Sequence, residues 1–334
     1  MQRRVTITDL ARELGLSIAT VSNALNDRGR MADATRRRVL DAARELGYHR
    51  NASAHALRTG RHGIVGLHVP HNVGDLHFYM SFTFGLSGRL AQDGIDLLLS
   101  ESDHPRTASL RTVDAAVVVD WGPATTAPAS LLAAGIPVLA VDGAPEGAPP
   151  PTAMIDVDYR GRTIEAVRRA AELGAHRALL VEPGLSIESA WRHALIAGFD
   201  AACAETGIEP HRREFTVGDS ADDLVELLLR TRAEIGPDLV VFGGQRLAGI
   251  ARTALDWGEP QSPVPFVVSL AGDPVSELPS PCITALDLDP RGYGAHCGDL
   301  VLRLLDDAAD PVAPSIWPTR FEWAAHWSRP SSDR

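Results

Sequence analysis

A chain of 334 residues, 45% hydrophobic and 22% charged, has material for more than one core, since domains run to roughly 150 residues each. Its net charge of −11 would alone argue against a nucleic-acid partner, but residues 1–62 hold 12 Arg against 6 acids and the remainder 20 Arg against 37. A basic head on an acidic body is the pattern of a DNA-binding module joined to a regulatory or oligomerising body.

Every cation is an arginine, which looks like the codon bias of a GC-rich genome and says little about function. Cys203, Cys282 and Cys297 are odd in number and show no metal-ligand spacing, so a reducing cytoplasm is expected, with no metal and no cofactor. The N-terminus lacks a signal-like run and no apolar stretch approaches membrane-spanning length. The expectation is a soluble cytoplasmic protein with no membrane partner.

Residues 5–48 carry three helical patterns and no strand signal. Thr6-Ile7-Thr8-Asp9 is a capping-box arrangement, in which the Thr6 hydroxyl and the acid three residues on satisfy free amide donors, so a helix starts there and ends at Gly15. A second helix starts at Ser17, a good N-cap, and runs to about Leu25. The third is expected to be capped by Asp33, with Val39, Leu40, Ala43 and Leu46 on one apolar face. Ala11, Gly15 and Val21 stand where a helix-turn-helix needs a small residue, a positive φ and a branched anchor. Arg36, Arg37 and Arg38 share one helical turn, so at least one is expected in solvent or paired with Asp33, Asp41 or Glu45.

Segment 51–62 is too polar for a core and reads as a linker or short helix. From Gly63 the texture changes to apolar runs bounded by Gly and Pro. GIVGLHV, IDLLLS, AAVVVD, IPVLAVD, AMIDV, RALLVE, EFTV, DLVVFG, FVVSL and CITAL read as strands. Helical patterns lie between them near 78–93, 126–134, 160–173, 188–206, 221–235, 246–257 and 290–307. Continuously apolar strands alternating with helices predict parallel sheets covered on both faces, and so many strands fit two sheets better than one. The domain boundaries expected are 1–50, 51–62 and 63–334. The histidines are scattered, and no HExxH, GxSxG or P-loop pattern appears, so no catalytic residues are expected and an enzyme is the rejected class.

VTITDLARELGLSIATVSNALN, followed by DATRRRVLDAARELGYHRNASAHALRTG, closely resembles the N-terminus of the LacI/GalR family of bacterial transcription regulators. Weaker echoes follow at FYMSFTFGL, GIPVLAVD, ELGAHRALLVEPG, PSPCITAL and WPTRFEW. The resemblance implies an all-α helix-turn-helix head plus an α/β body of two periplasmic-binding-protein-like (type I) subdomains. It also implies a homodimer on a pseudo-palindromic double-stranded DNA operator, acting by default as a repressor, with a body that senses a small-molecule effector.

Under that resemblance Ser17, Ile18, Ala19, Thr20, Ser22 and Asn23 lie on or beside the groove-facing surface of the recognition helix. Ser17, Thr20 and Ser22 would donate to phosphates, while Ile18, Ala19 and Asn23 occupy base-reading positions. Many relatives carry Arg where Asn23 stands; Asn prefers adenine, and Ile18 and Ala19 offer only apolar contact suited to a thymine methyl. Thr6, Asn26, Arg30 and Thr35 join the DNA-contacting set. In the linker, Asn51 caps a hinge helix, Ala54 permits close approach, and Leu57 matches the leucine that wedges into the central base step. Arg50 stands where the family usually has Pro.

The effector signal degrades in the body. The position of a ligand-holding Arg is Leu195, with Arg192 one helical turn earlier; the usual Asn-Asp pair is Gln245-Arg246; and the familiar acidic pair falls on Ala271 and Gly272. A polyol needs such groups to replace its hydration, so a standard sugar effector is less expected than the family resemblance implies, and Arg192 and Arg246 could instead hold an anion. A body answering to a partner protein, or to no ligand, is the alternative, and a cytoplasmic ligand-binding protein a remote one. Tyr79 belongs to the candidate effector set, and Phe78, Tyr79, Trp121, Trp191 and Trp257 stay open between core and ring-stacking roles. The stretch HPRTASLRTVDAAVVVD is shorter than its family counterpart, so one covering helix is expected to be cut back.

Overall fold

The computed structural model describes residues 5–25, 31–46, 61–70, 77–101, 112–184, 189–215, 220–255, 265–306, 310 and 312–328. Asn26, Arg30, Arg50, Asn51, Ala54, Leu57 and Trp257, and the expected cut-back helix within 102–111, lie outside the described residues. The chain divides into two compact units, Met1–Gly63 and Ile64–Arg334.

The head holds helices α1 (Ile7–Leu14), α2 (Ile18–Leu25) and α3 (Asp33–Glu45). Leu10, Ala11, Leu14, Val21, Ala24, Val39 and Ala43 form its core. Two expectations for α3 need correction. Asp33 is the first helical residue, and the N-cap is Ala32, which has no side-chain oxygen to offer; Asp33 still places an acid beside the positive helix start. Val39 and Ala43 are buried, whereas Leu40 and Leu46 are exposed. One residue of rotation, about 100° on a 3.6-residue helix, turns Leu40 off the face that the 39/43 pair occupies.

In the body the elements follow in chain order: β1 (Ile64–Val69), α4 (His77–Gln92), β2 (Asp96–Glu101), β3 (Ala115–Val119), α5 (Ala127–Ala133), β4 (Val138–Val141) and β5 (Ala153–Val157). After these come α6 (Tyr159–Glu172), β6 (Arg177–Pro183), α7 (Ala190–Thr206), β7 (Glu209–Phe215), α8 (Ala221–Glu234), β8 (Leu239–Phe242) and α9 (Leu247–Leu255). The last are β9 (Phe266–Ser269), β10 (Thr284–Asp287), α10 (Pro290–Leu304), β11 (Ser315–Trp317) and β12 (Arg320–Glu322).

They make two six-stranded sheets, ordered β11-β5-β4-β3-β1-β2 and β12-β10-β9-β8-β6-β7. All pairs are parallel except β10 with β12. The central strands β3, β4 and β8 are buried at every residue, as strands covered by helices on both faces must be. The strand expected at EFTV instead runs Glu209–Phe215 as an edge of the second sheet, alternating exposed and half-buried side chains. Its charges hid it, because an edge strand need not be apolar. β11 and β12, three residues each, had no periodicity to announce them.

The backbone passes between the sheets where β5 leads to α6, where β10 leads to α10, and where β11 leads to β12. These crossings are tied together: Trp317 Nε1 donates to the Leu288 carbonyl at 2.8 Å, and Arg162 Nε to Thr319 Oγ1 at 3.2 Å. α4 and α10 lie side by side because Gly85 and Gly294 have no side chain; a Cβ on either would fall 2.0 or 2.1 Å from a carbonyl of the other helix.

Candidate nucleic-acid interface and ligand cleft

The head builds its turn from local chemistry. Thr6 and Asp9 form the reciprocal capping box, with Asp9 N–H to Thr6 Oγ1 at 3.3 Å and Thr6 N–H to Asp9 Oδ2 at 3.0 Å. Gly15, at φ 63°, ends α1 in the left-handed region, and Leu16 N–H returns to the Ala11 carbonyl at 3.0 Å. Arg38 Nη2 donates to the Leu14 carbonyl at 2.9 Å. That guanidinium therefore closes the end of α1, where free carbonyls and the negative helix end favour a cation, instead of meeting the acids named from the sequence.

Ser17 then starts α2, accepting the Thr20 N–H at 3.0 Å and lying 2.8 Å from the Thr20 hydroxyl. Val21 and Ala24 turn inward, and Ile18, Ala19 and Asn23 outward; Ile18 is 49% exposed. Thr20 and Ser22 are half-buried at the edges of that face. No charged residue occurs on α2, so its outer surface offers hydroxyls, methyls and one amide. Thr6 is exposed and Thr35 half-buried in the first turn of α3.

In the body, Tyr79 near the start of α4 donates its hydroxyl to Asp120, which also receives a hydrogen bond from the Trp191 side chain at the start of α7. Asp120 follows β3 at φ 52° and Asp142 follows β4 at φ 61°. Val119 and Val141 are register partners, so the two acids leave neighbouring strand ends. Asp142 Oδ1 accepts from Val157 N–H at 3.0 Å and from the Tyr293 hydroxyl at 3.3 Å. Burial pushes the Asp120 carboxyl up to about 6 despite its two donors, and raises Asp142 well above the carboxylate range, with Asp120 adding repulsion.

Gln245 Oε1 accepts the Phe78 N–H at 3.1 Å; Gln245 is buried and its Nε2 has no partner among the described residues. Arg246, at φ 70°, is half exposed with Nε 4.0 Å from Asp273 Oδ2. Arg246 and Asp273 line a cavity of about 590 Å³ with His77, Ile250, Thr253 and Ser276. Arg192 is buried: Nε donates to the Pro183 carbonyl at 2.6 Å, and Nη2 meets Glu182 at 3.0 Å and Glu214 at 3.3 Å.

The structure thus brings Tyr79 together with Trp191, and Gln245 with the start of α4, while giving Arg192 and Arg246 separate carboxylate partners. Phe78 and Trp121 belong to the core, where Phe78 stacks 5.9 Å from Phe82 and Trp121 donates to the Thr125 carbonyl at 3.1 Å. Leu195 is fully buried. Asp120, Asp142 and Asp273 escaped the sequence reading. VVVD and LAVD each end an apolar strand on an acid, and that repeated pattern was the available signal.

Residues 6–51 match the sequence profile of bacterial regulatory proteins of the lacI family. The sucrose operon repressor of Klebsiella pneumoniae is 33% identical over 340 residues, covering 96% of this chain and 98% of that protein. The HTH-type transcriptional regulator RafR of Escherichia coli is 34% identical over 184 residues; that match spans 51% of this chain and about half, 53%, of RafR. The crystal structure of the lac repressor dimer bound to operator and the anti-inducer ONPF superposes with a TM-score of 0.75 at 22% identity, covering 96% of this chain and 98% of that one. That likeness shows the fold: a two-subdomain, periplasmic-binding-protein-like body of parallel-dominated sheets.

Proposed function

This chain belongs to the LacI family of bacterial regulatory proteins, and from that premise we propose that it is a sequence-specific DNA-binding transcriptional regulator. It works as a repressor, a homodimer on a pseudo-palindromic operator whose grip a small molecule in the body alters. The observation that carries this is the outer face of α2, an exposed, uncharged surface of Ile18, Ala19 and Asn23 edged by half-buried Thr20 and Ser22, on a helix pinned by Val21 and Ala24. A groove-reading helix needs such hydroxyls, methyls and amides.

Residues 1–50 form the DNA-binding domain, 51–62 the hinge, and 63–334 the effector-binding and dimerisation domain. Ile18, Ala19 and Asn23 read bases. Ser17, Thr20, Ser22, Thr6, Asn26, Arg30 and Thr35 clamp the backbone; in the hinge helix Asn51 is the cap, Ala54 allows close approach to the minor groove, and Leu57 wedges into the central base step. Met80 and Phe84, one turn apart and exposed on α4, and exposed Leu99 on β2 supply apolar surface for a second copy. Its relatives include a transcriptional regulator and an operon repressor, which supports a regulator acting on DNA in the cytoplasm over an enzyme; among the described residues no helix is long and apolar enough to cross a membrane.

In the cleft, Tyr79 and Gln245 are the effector-facing groups from the sequence reading, Arg246 stands at the rim, and Arg192 braces β6 to β7. A ligand-free body has less support, because Gln245 Nε2 and Ser189 Oγ are buried without partners among the described residues, a costly state that a ligand would relieve.

The test is titration of the full chain onto a palindrome selected from random duplexes, at several salt concentrations. The affinity should fall steeply, with a logarithmic slope of roughly −0.9 per phosphate neutralised. Binding that depends neither on salt nor on sequence would overturn the reading.

A further inference from the structure

We propose that the cleft takes an organic cation, seated on the paired carboxylates of Asp120 and Asp142 and walled by the rings of Tyr79, Tyr159 and Trp191. This rests on the regulator reading above and gives its effector a chemical class.

Asp120 and Asp142 come off adjacent strand ends in register and are 8% and 4% exposed. Every named hydrogen-bond partner of the pair is neutral: the Tyr79 hydroxyl and Trp191 indole on Asp120, and the Val157 amide and Tyr293 hydroxyl on Asp142. The strongest charges acting on Asp142 are Asp120 and Asp156, both acids. With only neutral donors around them and each other as like-charged neighbours, the two acids are driven to hold a proton when the site is empty, and a bound cation is what would let both ionise. Of the two arginines that the sequence offered for an anion, Arg192 is held by Glu182 and Glu214, and Arg246, half exposed, has its Nε 4.0 Å from Asp273. The ligand proposed here thus carries the opposite charge to the anion that the sequence suggested for Arg192 and Arg246.

A second observation comes from the other side of the cleft. Ser189, 3% exposed, stands at the N-cap of α7 without capping it, and its Oγ has no hydrogen-bond partner among the described residues. The residues that follow it close on the acid pair: Ala190 sits against Gly143, where an added Cβ would lie 2.3 Å from the Ala190 Cβ, and Trp191 reaches Asp120. In the proposed complex that buried hydroxyl accepts an N–H of the ligand. The Tyr159 and Trp191 rings, 5.5 Å apart between centroids, add faces that attract cations. Among the described residues no three His, Cys, Asp or Glu side chains converge as metal ligands, which leaves an organic ammonium or guanidinium as the class that fits.

The experiment is thermal melting of the full chain with glucosamine, glucose and glucuronate, one ring carrying three charges, and with agmatine and choline as compact cations. At least one cation should raise the midpoint progressively with concentration, while glucose and glucuronate do not. Asp120→Asn, which keeps acceptors for Tyr79 and Trp191, and the Asp120→Asn/Asp142→Asn double variant should weaken the response about tenfold or more. Circular dichroism checks that each variant folds. A response to none of the cations, an equal response to glucose or glucuronate, or an undiminished response in a folded variant would overturn the proposal. Operator titration of the same preparation separates the two readings: intact DNA binding without a cation response sinks only this one, and absent DNA binding sinks the regulator.

Discussion

The backbone N–H of Phe78 donates to Gln245 Oε1 at 3.1 Å, joining the start of α4 over the first sheet to the turn after β8 in the second. With Gln245 buried, this bond holds the two halves of the body against each other. Gln245→Ala leaves a buried amide unsatisfied, so unfolding stability should drop by roughly 1–3 kcal/mol. Gln245→Glu keeps the acceptor and should lose less. Urea melts of both variants decide it; equal losses would show that the acceptor is irrelevant.

Arg192 binds two register-paired acids, Glu182 of β6 and Glu214 of β7. Glu182 is buried, and burial lifts its carboxyl even with Arg192 beside it. Arg192→Leu strands that charge and should cost about 3–5 kcal/mol, whereas the Arg192→Leu/Glu182→Leu pair should recover much of the loss. Chemical denaturation of the single and double variants checks this. If the single variant melts like the parent, Arg192 is no brace.

Two buried groups should give stability opposite pH slopes. His68 has a folded value lowered to about 4 by burial, so its contribution is present above the unfolded value near 6.5 and is lost as pH falls toward 4. Asp120 has a folded value raised to about 6, so its contribution is present below the ordinary carboxylate value and is lost as pH rises through 6. Each spans on the order of 3 kcal/mol. Relative to the parent, His68→Leu should gain as pH falls from 6.5 to 4, and Asp120→Asn as pH rises from 4 to 7. Melting curves across that range test both signs; parallel profiles would refute the assignment.

Asn23 points outward from α2 beside Ile18 and Ala19. Asn23→Arg should move the base preferred at its position from adenine toward guanine, by about 1–3 kcal/mol of discrimination, with the head still folded. Selection of binding sites from random duplexes reads this directly, and an unchanged preference would remove Asn23 from the base-reading set.

Ser17 caps α2 through the Thr20 N–H. Ser17→Ala should destabilise the head by about 1 kcal/mol and weaken every operator sequence to a similar degree, without changing preference. A changed base preference would instead make Ser17 a reader.

Much of the molecule was decided by short-range chemistry, and that part could be read directly from the residues. Thr6 with Asp9, Gly15 and Ser17 set the head's helix ends through bonds within a few residues, and the apolar runs at AAVVV, VLAV and LVVF specified buried parallel strands. Where the local rule failed, a longer-range one had taken over. Leu40 looked like core but the rotation of α3 exposed it, and EPHRREF became an edge strand because the sheet needed only one of its faces.

The cleft was decided by tertiary structure alone. Nothing within a few residues of Arg192 announces that it will lie between Glu182 and Glu214, or that Asp120 will receive Tyr79 from one helix and Trp191 from another. A side chain's charge is written in the sequence, but its partner and its solvation are set only when distant segments meet. For that reason the arginines suggested an anion from the sequence, whereas the folded body gives each of them a carboxylate neighbour and brings Asp120 and Asp142 together among neutral donors.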